Sequence, residues 1–591
     1  MTVLLRRALI LACSFAVTCA WLARASAAEP VRATEQMVVA ANPYAAEAGI
    51  GILRGGGSAV DAAIAVQLVL SLVEPQSSGI GGGAFMLVFD APDDQPSSAR
   101  RSSAPPGQAA DIIAYEGRET APAAATPDMF LDDNGRAASF PAVAFGGLSV
   151  GVPGAMRMLE LAHRDHGRLP WPDLFAPALD LAERGFEVSP RLHFLLDRFN
   201  DVARGERFRA YFYDDDGEPR EPGFRLVNTE YAATLRTLAA QGADAMYTGE
   251  LADRIVDTVR NDTMRAGRMT HEDLRAYEAR TTTPLCSPYR QWRVCGPRLP
   301  SSGGVTVQQI LGILQAFDLP AIAGDPVQSV HLIADASRLA FADRNFYLGD
   351  PDFVAAPVAA LLSGEYLRGR AALIDRRRAL ESVSPGSPQP DLAWNFAPSE
   401  PTEVASTSHF SIGDRWGDAV SMTTSVQGAF GSQLMTGGFI LNNQLTDFSF
   451  APEIDGKPVA NRAEPRKRPL SSMTPSVVLD ADGRLRLIVG SPGGTRIINF
   501  VAQAIVAVLD WELNIQDAVA APHFVAQGRS IELERGTDIL DHAEQLRALG
   551  HNVVSRNLNS GLHGMTVDYT DGGRVLSGGA DPRREGVALG D

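Results

Sequence analysis

Hydrophobic and polar positions change their period along the chain. In the first two thirds, apolar residues recur at helical spacing over residues 58–72, 231–241, 251–259, 305–317 and 330–346. This spacing places apolar side chains on one face of a helix. The region from Val152 to Asn261 is therefore predicted to be mainly helical, and two further helices are expected before residue 350.

From residue 408 onward the pattern is typical of strands joined in hairpins. Strands are predicted over 410–412 and 419–424, over 475–479 and 485–489, and on either side of a turn at 571–573, with helices over 497–509 and 541–549. Hairpins combined with blocks of helices indicate an α+β fold built in layers. The absence of a regular β-α-β alternation argues against a doubly wound sheet.

A glycine cluster at 79–83 precedes the apolar run 84–89, which is predicted to be a strand. A dinucleotide-binding glycine motif follows a strand and opens a helix, so the order here is the wrong one. We interpret the glycines as a close backbone crossing inside a packed sheet.

The N-terminus has the features of a secretory signal peptide. Arg6 and Arg7 precede an apolar stretch over 8–22, and Ala25-Ser26-Ala27 forms a small-residue cleavage site. We expect residues 1–27 to be removed and the protein to be exported to the periplasm or secreted. An uncleaved membrane anchor is the alternative, although the apolar stretch is short for a bilayer span.

Removal of the signal would leave two of the four cysteines, Cys286 and Cys295. The segment between them is predicted to be a hairpin that turns at Arg290-Gln291, a register that places the two cysteines opposite each other. This geometry permits a disulfide, and an oxidising compartment favours one. We expect a structural disulfide here.

Composition excludes some partners. The chain has 591 residues, of which 45% are hydrophobic and 21% are charged, and its formal net charge is −17. An acidic chain whose basic residues form only one short cluster, Arg466-Lys467-Arg468, is not expected to bind nucleic acid. The histidines, such as His163 and His166, show no metal-ligand spacing, and no cofactor is predicted.

The Pro- and Ser-rich segment 382–401 is predicted to be a mobile linker. The four motifs that follow it carry a family resemblance. They lie at 403–411, 442–449, 467–473 and 490–494. Together they resemble the small subunit of the γ-glutamyltransferases, which are N-terminal-nucleophile hydrolases. Further motifs extend the resemblance over almost the whole mature chain and lie at 41–43, 81–83, 151–154, 300–304, 341–344 and 581–584.

The resemblance implies a four-layer αββα sandwich formed by one large self-processed unit. A threonine hydroxyl is a weak nucleophile, and its own α-amine can serve as the base once the residue is N-terminal. Cleavage between Ser406 and Thr407 would meet that need. The resemblance thus implies a large subunit over 28–406 and a small subunit over 407–591, which together form a heterodimer.

The resemblance also implies a role for each matching residue. Thr407 would attack the γ-carbonyl carbon, Ser425 would hydrogen-bond its hydroxyl or amine, and the backbone N–H groups of Gly493 and Gly494 would bind the oxyanion. The residues implied to bind the substrate are Arg118, Ser471 and Ser472 for the α-carboxylate and Asp447, Gln444 and Gln427 for the α-ammonium group. His409 lies two residues from Thr407, but the family mechanism needs no histidine, and we assign it a structural role.

The implied activity is γ-glutamyl transfer from glutathione to water or to an amino acid or peptide. The same machinery acting on a glutaryl-type amide, as in cephalosporin acylases, remains an alternative, as does a non-catalytic binding protein of the same fold. Residues 448–470 contain no tyrosine or tryptophan that could form a lid, so an open site is expected.

Overall fold

A computed structural model describes residues 29–92, 111–389, 394–399, 404 and 406–591. The predicted signal peptide and residues 93–110 lie outside this part of the chain. Among the described residues, none of the helices has both the length and the apolar character needed to cross a bilayer.

Two antiparallel seven-stranded sheets form the centre of the molecule. In chain order their strands are β1 (Val31–Ala33), β2 (Met37–Ala40), β3 (Gly83–Asp90), β4 (Asp111–Gly117), β5 (Arg280–Thr282), β6 (Leu285–Tyr289), β7 (Trp292–Gly296), β8 (Ser408–Gly413), β9 (Ala419–Ser425), β10 (Ser476–Leu479), β11 (Leu485–Gly490), β12 (His563–Thr570), β13 (Gly573–Ala580) and β14 (Val587–Gly590). The strand orders are β1-β13-β12-β11-β10-β7-β6 in the first sheet and β14-β2-β8-β9-β3-β4-β5 in the second.

The helices cover the outer faces of the two sheets. In chain order they are α1 (Pro43–Arg54), α2 (Ala59–Val73), α3 (Phe140–Val143), α4 (Ala155–His166), α5 (Ala176–Arg184), α6 (Pro190–Arg198), α7 (Glu206–Phe212), α8 (Thr229–Gln241), α9 (Gly249–Arg260), α10 (His271–Arg275), α11 (Gly303–Leu314), α12 (Pro326–Tyr347), α13 (Val358–Leu361), α14 (Gly364–Ala371), α15 (Ile497–Leu509), α16 (Ile515–Ala520) and α17 (Ala543–Ala548). Three two-stranded sheets pair Phe186–Glu187 with Arg225–Leu226, Met435–Thr436 with Phe439–Ile440, and Glu453–Ile454 with Lys457–Pro458. A three-stranded sheet joins Phe524–Ala526, Ser530–Glu534 and Asn552–Arg556.

Successive side chains of a strand pack in different hydrophobic cores, and these cores define the layers of the fold. In β3, Met86 and Val88 pack against the helices before residue 260, whereas Leu87 packs between the two sheets. In β11, Ile488 also faces the other sheet, and Leu487 packs against α11, α12 and α15. Because strand side chains alternate between faces, the result is a helix–sheet–sheet–helix stack. The four-layer αββα prediction is confirmed.

Local predictions from the sequence agree with most of this architecture. The hairpin of β6 and β7 places Cys286 opposite Cys295, and the two form a disulfide. The glycines before β3 mark a close crossing: a Cβ added at Gly82 would lie 2.1 Å from the carbonyl oxygen of Ser425. The C-terminal strand β14 was not predicted, and the expected helix over 541–549 is shorter because a 3₁₀ turn occupies Asp538–His542.

The described parts of the linker are irregular, as expected, but they are not detached from the body. The hydroxyl of Tyr347 donates a hydrogen bond to the carbonyl of Gly386 at 2.6 Å. Backbone hydrogen bonds also tie Ala397 to Pro458 and Ser399 to Asn345. These contacts join the described stretches to helix α12 and to Pro458, and the mobility of the linker stays a prediction.

Candidate active site

Thr407 immediately precedes β8 and lies beside the end of β9. The antiparallel register pairs Ser408 with Thr424, which brings residue 407 next to Ser425. The Thr407 hydroxyl donates a hydrogen bond to Ser425 Oγ at 3.1 Å, and Ser425 Oγ also accepts the backbone N–H of Gln427 at 2.8 Å. The hairpin thus places an oriented hydroxyl acceptor beside the candidate nucleophile.

The peptide bond between Ser406 and Thr407 is held on both sides. The backbone N–H of Gly493 donates to the Ser406 carbonyl at 3.2 Å, and the Ser406 hydroxyl donates to the Gln76 carbonyl at 2.7 Å. The Thr407 carbonyl accepts a hydrogen bond from Arg584 Nη1 at 3.0 Å. Thr407 itself has a φ of +104°, which is strained for a β-branched residue.

Two glycines form the turn between β11 and α15. Gly493 and Gly494 have φ angles of +138° and +60°, and a Cβ at position 493 would lie 3.0 Å from the Phe500 ring. A 3₁₀ turn over Gly494–Arg496 then leads directly into α15. Backbone N–H groups at the start of a helix carry a partial positive charge. This turn therefore offers donors to the carbonyl that a nucleophile at residue 407 would attack.

A second group of residues surrounds the carboxylate of Asp447. Arg118 Nη2 donates to Asp447 Oδ2 at 2.7 Å, and the side-chain amide of Gln444 donates to the same oxygen at 3.0 Å. The amide of Gln427 donates to Asp447 Oδ1 at 2.7 Å. All four side chains are buried. The structure therefore brings together four of the residues implied to bind the substrate.

Residues of both groups line one pocket, although Arg118 is not among its lining residues. It is lined by Val404, Thr407, Ser425, Gln427, Gln444, Asp447, Ser471, Met473, Gly494 and Ile497. In the uncut chain the residues of this pocket are buried, and only 4% of Thr407 and 5% of Asp447 is exposed. The expectation of an open site thus does not describe the uncut chain, in which Val404 forms part of the wall.

The pocket contains acceptors that the described residues leave unused. The Oε1 atoms of Gln427 and Gln444 are buried, and neither has a hydrogen-bond partner among the described residues. Both amides donate their N–H groups to Asp447, so their oxygens must point elsewhere. Two amide oxygens beside a carboxylate provide the acceptors and the charge that bind an ammonium group.

Arg118 also contacts the backbone next to the predicted serines. Its Nε donates to the carbonyl of Pro469 and its Nη2 to that of Leu470, both at 2.9 Å. Ser471 lines the pocket, and Ser472 is buried beside it. The guanidinium of Arg118 therefore contacts the backbone that directly precedes Ser471 and Ser472.

Electrostatics distinguish the two carboxyl groups near Arg118. Burial raises the pKa of Glu119 to about 8, against the opposing effect of Arg118, so Glu119 is largely protonated near neutral pH. Burial also raises the pKa of Asp447, while Arg118 and the two amide groups lower it. Because all three partners of Asp447 donate to it, we assign Asp447 as the ionised partner of the guanidinium.

His409 has no geometry for a catalytic base. Its Nδ1 lies 2.8 Å from Thr423 Oγ1 and its Nε2 lies 3.3 Å from Ser411 Oγ. Burial holds the pKa of His409 well below its ordinary value. These contacts agree with the structural role assigned from the sequence.

A cluster that sequence spacing does not reveal lies at His331, Asp335 and His551. His331 Nδ1 lies 2.7 Å from His551 Nε2, and His331 Nε2 lies 2.7 Å from the carbonyl of Asp375. Arg338 already neutralises Asp335 through a 2.9 Å ion pair. A divalent cation would add two charges to this balanced buried site, so we interpret the cluster as a structural network.

Sequence reasoning missed the roles of Gln76, Glu119 and Arg584 around the site. Glu119 directly follows Arg118, and Arg584 ends the motif over 581–584, which extends the family resemblance but was given no role in the site. That motif was the available signal for Arg584, whereas Gln76 contacts Ser406 through its backbone and left no signal in its residue type.

Comparison with known proteins supports the family resemblance found in the sequence. The family model described as gamma-glutamyltranspeptidase matches residues 45–591. A glutathione hydrolase proenzyme of Bacillus subtilis (strain 168) is 34% identical over 568 residues, which cover 94% of this chain and 91% of the relative. The acylase ACY 1 proenzyme of Pseudomonas sp. (strain SE83) is 33% identical over 570 residues, with 95% and 94% covered.

Among solved structures, the cephalosporin acylase of Bacillus halodurans superposes with a TM-score of 0.81 at 27% identity, covering 96% of this chain and 98% of that one. Relatives with both activities in their names thus share the fold over nearly full length. The family match and the coverage of the curated relatives show that this chain belongs to the γ-glutamyltranspeptidase family of N-terminal-nucleophile hydrolases.

Proposed function

We propose that the protein cleaves itself between Ser406 and Thr407 and then transfers γ-glutamyl groups through an ester on Thr407. The donors are glutathione and other γ-glutamyl amides, and the acceptor is water or the amine of an amino acid or peptide. The observation that carries the proposal is one pocket in which the candidate nucleophile Thr407 lies with Asp447, Gln427 and Gln444, the acceptors for an ammonium group, and with Ser471, a donor for a carboxylate. Arg118 lies directly behind Asp447, to which it donates at 2.7 Å.

Self-cleavage uses groups already in contact in the uncut chain. The Thr407 hydroxyl attacks the Ser406 carbonyl carbon while Gly493 N–H stabilises the carbonyl oxygen. The C–N bond then breaks, and the leaving Thr407 nitrogen takes the hydroxyl proton, which leaves an ester and a free amine. Water then hydrolyses the ester and releases a Ser406 carboxylate. The strained φ of Thr407 favours this step because cleavage removes the constraint.

Acyl transfer repeats this chemistry on the substrate. The new α-amine of Thr407, whose ordinary pKa is about 7.7–8.0, accepts the hydroxyl proton as Thr407 Oγ1 attacks the γ-carbonyl carbon. The N–H groups of Gly493 and Gly494 donate hydrogen bonds to the oxyanion. The leaving amine then takes the proton from the α-amine. Water or a second amine then attacks the ester and restores the free hydroxyl.

Donor selection follows from the charges of a free α-amino acid end. The substrate ammonium group lies against Asp447 and the unused oxygens of Gln427 and Gln444, while the α-carboxylate lies against Arg118 and the hydroxyls of Ser471 and Ser472. An α-linked glutamyl group has no free carboxylate at that position. The arrangement therefore favours γ-linked donors.

The proposed life cycle places the mature protein outside the cytoplasm. Residues 1–27 act as the export signal, and cleavage yields chains over 28–406 and 407–591 that stay together as a heterodimer. The sheets support this association, because β8 of the small chain pairs with β2 of the large chain and β9 pairs with β3. The proposed reaction uses side chains and backbone groups of the protein alone.

A glutaryl-amide acylase is the second candidate, since acylases are among the similar proteins. A glutaryl group keeps the carboxylate of a γ-glutamyl group and lacks the ammonium. Both candidates therefore use Arg118, and they differ at the buried acceptors of Asp447, Gln427 and Gln444. Those acceptors favour the γ-glutamyl donor, because an apolar methylene would leave them unpaired.

The two donors are compared in separate reactions. Purified cut protein is given either γ-glutamyl or glutaryl p-nitroanilide, and release of nitroaniline is followed for each. We expect the γ-glutamyl compound to have at least a tenfold higher kcat/KM. A preference for the glutaryl compound would support the acylase candidate, and turnover of neither by a cut protein would contradict both.

A further inference from the structure

Two sequence motifs, over 300–304 and 341–344, have no role in the proposed chemistry, yet they meet directly behind the candidate carboxylate site. Arg344 lies on α12 and is 2% exposed. Its Nε donates to Ser302 Oγ at 2.9 Å and its Nη2 donates to Ser472 Oγ at 2.8 Å. A buried guanidinium of the large-subunit region thus touches a serine of the small-subunit region that is implied to bind substrate.

The loop at 301–304 fixes the backbone on which that serine sits. The N–H and the hydroxyl of Ser302 both donate to the Ser471 carbonyl, at 2.7 and 2.6 Å. The hydroxyl of Ser301 donates to the Met473 carbonyl at 2.6 Å. A Cβ at Gly303 would lie 1.7 Å from Thr474 Oγ1, so only glycine allows this close approach.

We propose that Arg344 is a positioning residue that sets the direction of the Ser472 hydroxyl toward the α-carboxylate of the donor. A guanidinium has only donors, so it occupies a lone pair of Ser472 Oγ and directs the hydroxyl hydrogen away from itself. The positive charge also polarises the hydroxyl and strengthens it as a donor. The inference rests on the carboxylate recognition in the proposed function.

Arg344 complements the part assigned to Arg118. Arg118 holds the Leu470 carbonyl and Arg344 holds the Ser472 hydroxyl, so two guanidinium groups contact the same three-residue stretch. Arg118 donates to Asp447, and among the described residues Arg344 donates to the hydroxyl groups of Ser302 and Ser472 and to the side-chain oxygen of Asn345. We therefore assign Arg344 an indirect effect on the substrate, transmitted through Ser472.

A double-mutant cycle tests this transmission. The variants are Arg344→Lys, Ser472→Ala and the combination, and each is measured as cut protein with a carboxylate-bearing donor, γ-glutamyl p-nitroanilide. Lysine keeps the charge but loses the planar fork that spans Ser302 and Ser472. We expect Arg344→Lys to raise KM about 10- to 100-fold with a smaller change in kcat, as for the loss of a hydrogen bond to a charged group. In the Ser472→Ala background the same change should alter KM less than about threefold.

A matched control lies on the same helix. Arg338→Lys changes another buried arginine of α12, whose partners are Asp335 and the carbonyls of Leu380 and Gly528. It should leave KM unchanged, because none of these partners lines the pocket. A second readout is the inhibition constant of 4-aminobutanoate, which lacks the α-carboxylate and should be the same in wild type and Arg344→Lys.

Each alternative outcome is distinguishable. An equal effect of Arg344→Lys with and without Ser472, or an equal loss of 4-aminobutanoate binding, would overturn the inference. The inference would also be overturned if neither Arg344→Lys nor Arg344→Gln were cut while Arg338→Lys was cut, because Arg344 would then be needed for folding. If wild type turns over only the glutaryl donor, the proposed function fails, and the cycle is run with that donor, which retains the carboxylate.

Discussion

Replacing Asp447 by asparagine should change which donor the enzyme prefers. The substitution keeps the shape of the side chain and removes the charge that pairs with Arg118 at 2.7 Å and faces the proposed ammonium site. The ammonium of a γ-glutamyl donor loses its counter-charge, whereas the loss of the partner of Arg118 affects both donors alike.

The magnitude follows from these contacts. The effect specific to this donor is the lost contact of its ammonium, and a hydrogen bond to a charged group contributes about 1.5–3 kcal/mol. Since about 1.4 kcal/mol corresponds to a factor of ten, kcat/KM for γ-glutamyl p-nitroanilide should fall about 10- to 100-fold. A glutaryl donor has no ammonium to lose, and the released Arg118 can bind its carboxylate. Its kcat/KM should stay within about threefold of wild type or increase.

The assay compares both p-nitroanilides on cut wild-type and Asp447→Asn protein. Glu119→Gln is the matched control, because it is an equally conservative change on the other carboxyl group beside Arg118, and that group is already largely protonated with a pKa of about 8. It should change neither rate by more than about threefold. A parallel loss on both donors in the Asp447→Asn protein would refute the assignment of Asp447 to the ammonium group.

Three further predictions concern cleavage, the oxyanion turn and acid stability. Thr407→Ala should leave one uncut chain without activity, and intact mass showing two chains would contradict the cleavage site. Gly493→Ala should slow cleavage at least tenfold, since the residue has a φ of +138°; Gly483→Ala, at φ +80° in an open hairpin turn, is the strain control and should not. Burial lowers the pKa of His563 to about 4 from 6.5. Between pH 6.5 and about pH 4 only the unfolded state binds this proton. The free energy of unfolding therefore falls by about 1.4 kcal/mol per pH unit as the pH drops through this range. Urea unfolding at pH 4.5, 5.5 and 6.5 should show a shallower loss in His563→Gln, and an unchanged slope would exclude His563 as its source.

Local patterns were sufficient to predict the elements that carry the nucleophile. The alternation on either side of the turn at 414–418 predicted the hairpin of β8 and β9, and this hairpin alone brings Thr407 to Ser425. The disulfide of Cys286 followed from the same kind of local register. Contacts between residues within about 20 positions are set by strand period and turn geometry, which sequence displays directly.

Contacts between distant segments were not predictable in this way. Arg118 and Asp447 are 329 residues apart, and only the family resemblance placed them in one site. The contact of Arg344 with Ser472, 128 residues apart, had no signal in either residue type. The positive φ of Thr407 lies between two carbonyls that accept hydrogen bonds from Gly493 and Arg584, and such strain is held by tertiary contacts rather than by local preference.

The measurement that tests the central claim most directly is glutamate release from glutathione by the purified cut protein, with and without glycylglycine. We predict release of glutamate in both cases and formation of γ-glutamyl-glycylglycine when the acceptor is present, both absent in Thr407→Ala. A correctly cut protein that releases no glutamate from glutathione would contradict the proposed γ-glutamyl transfer.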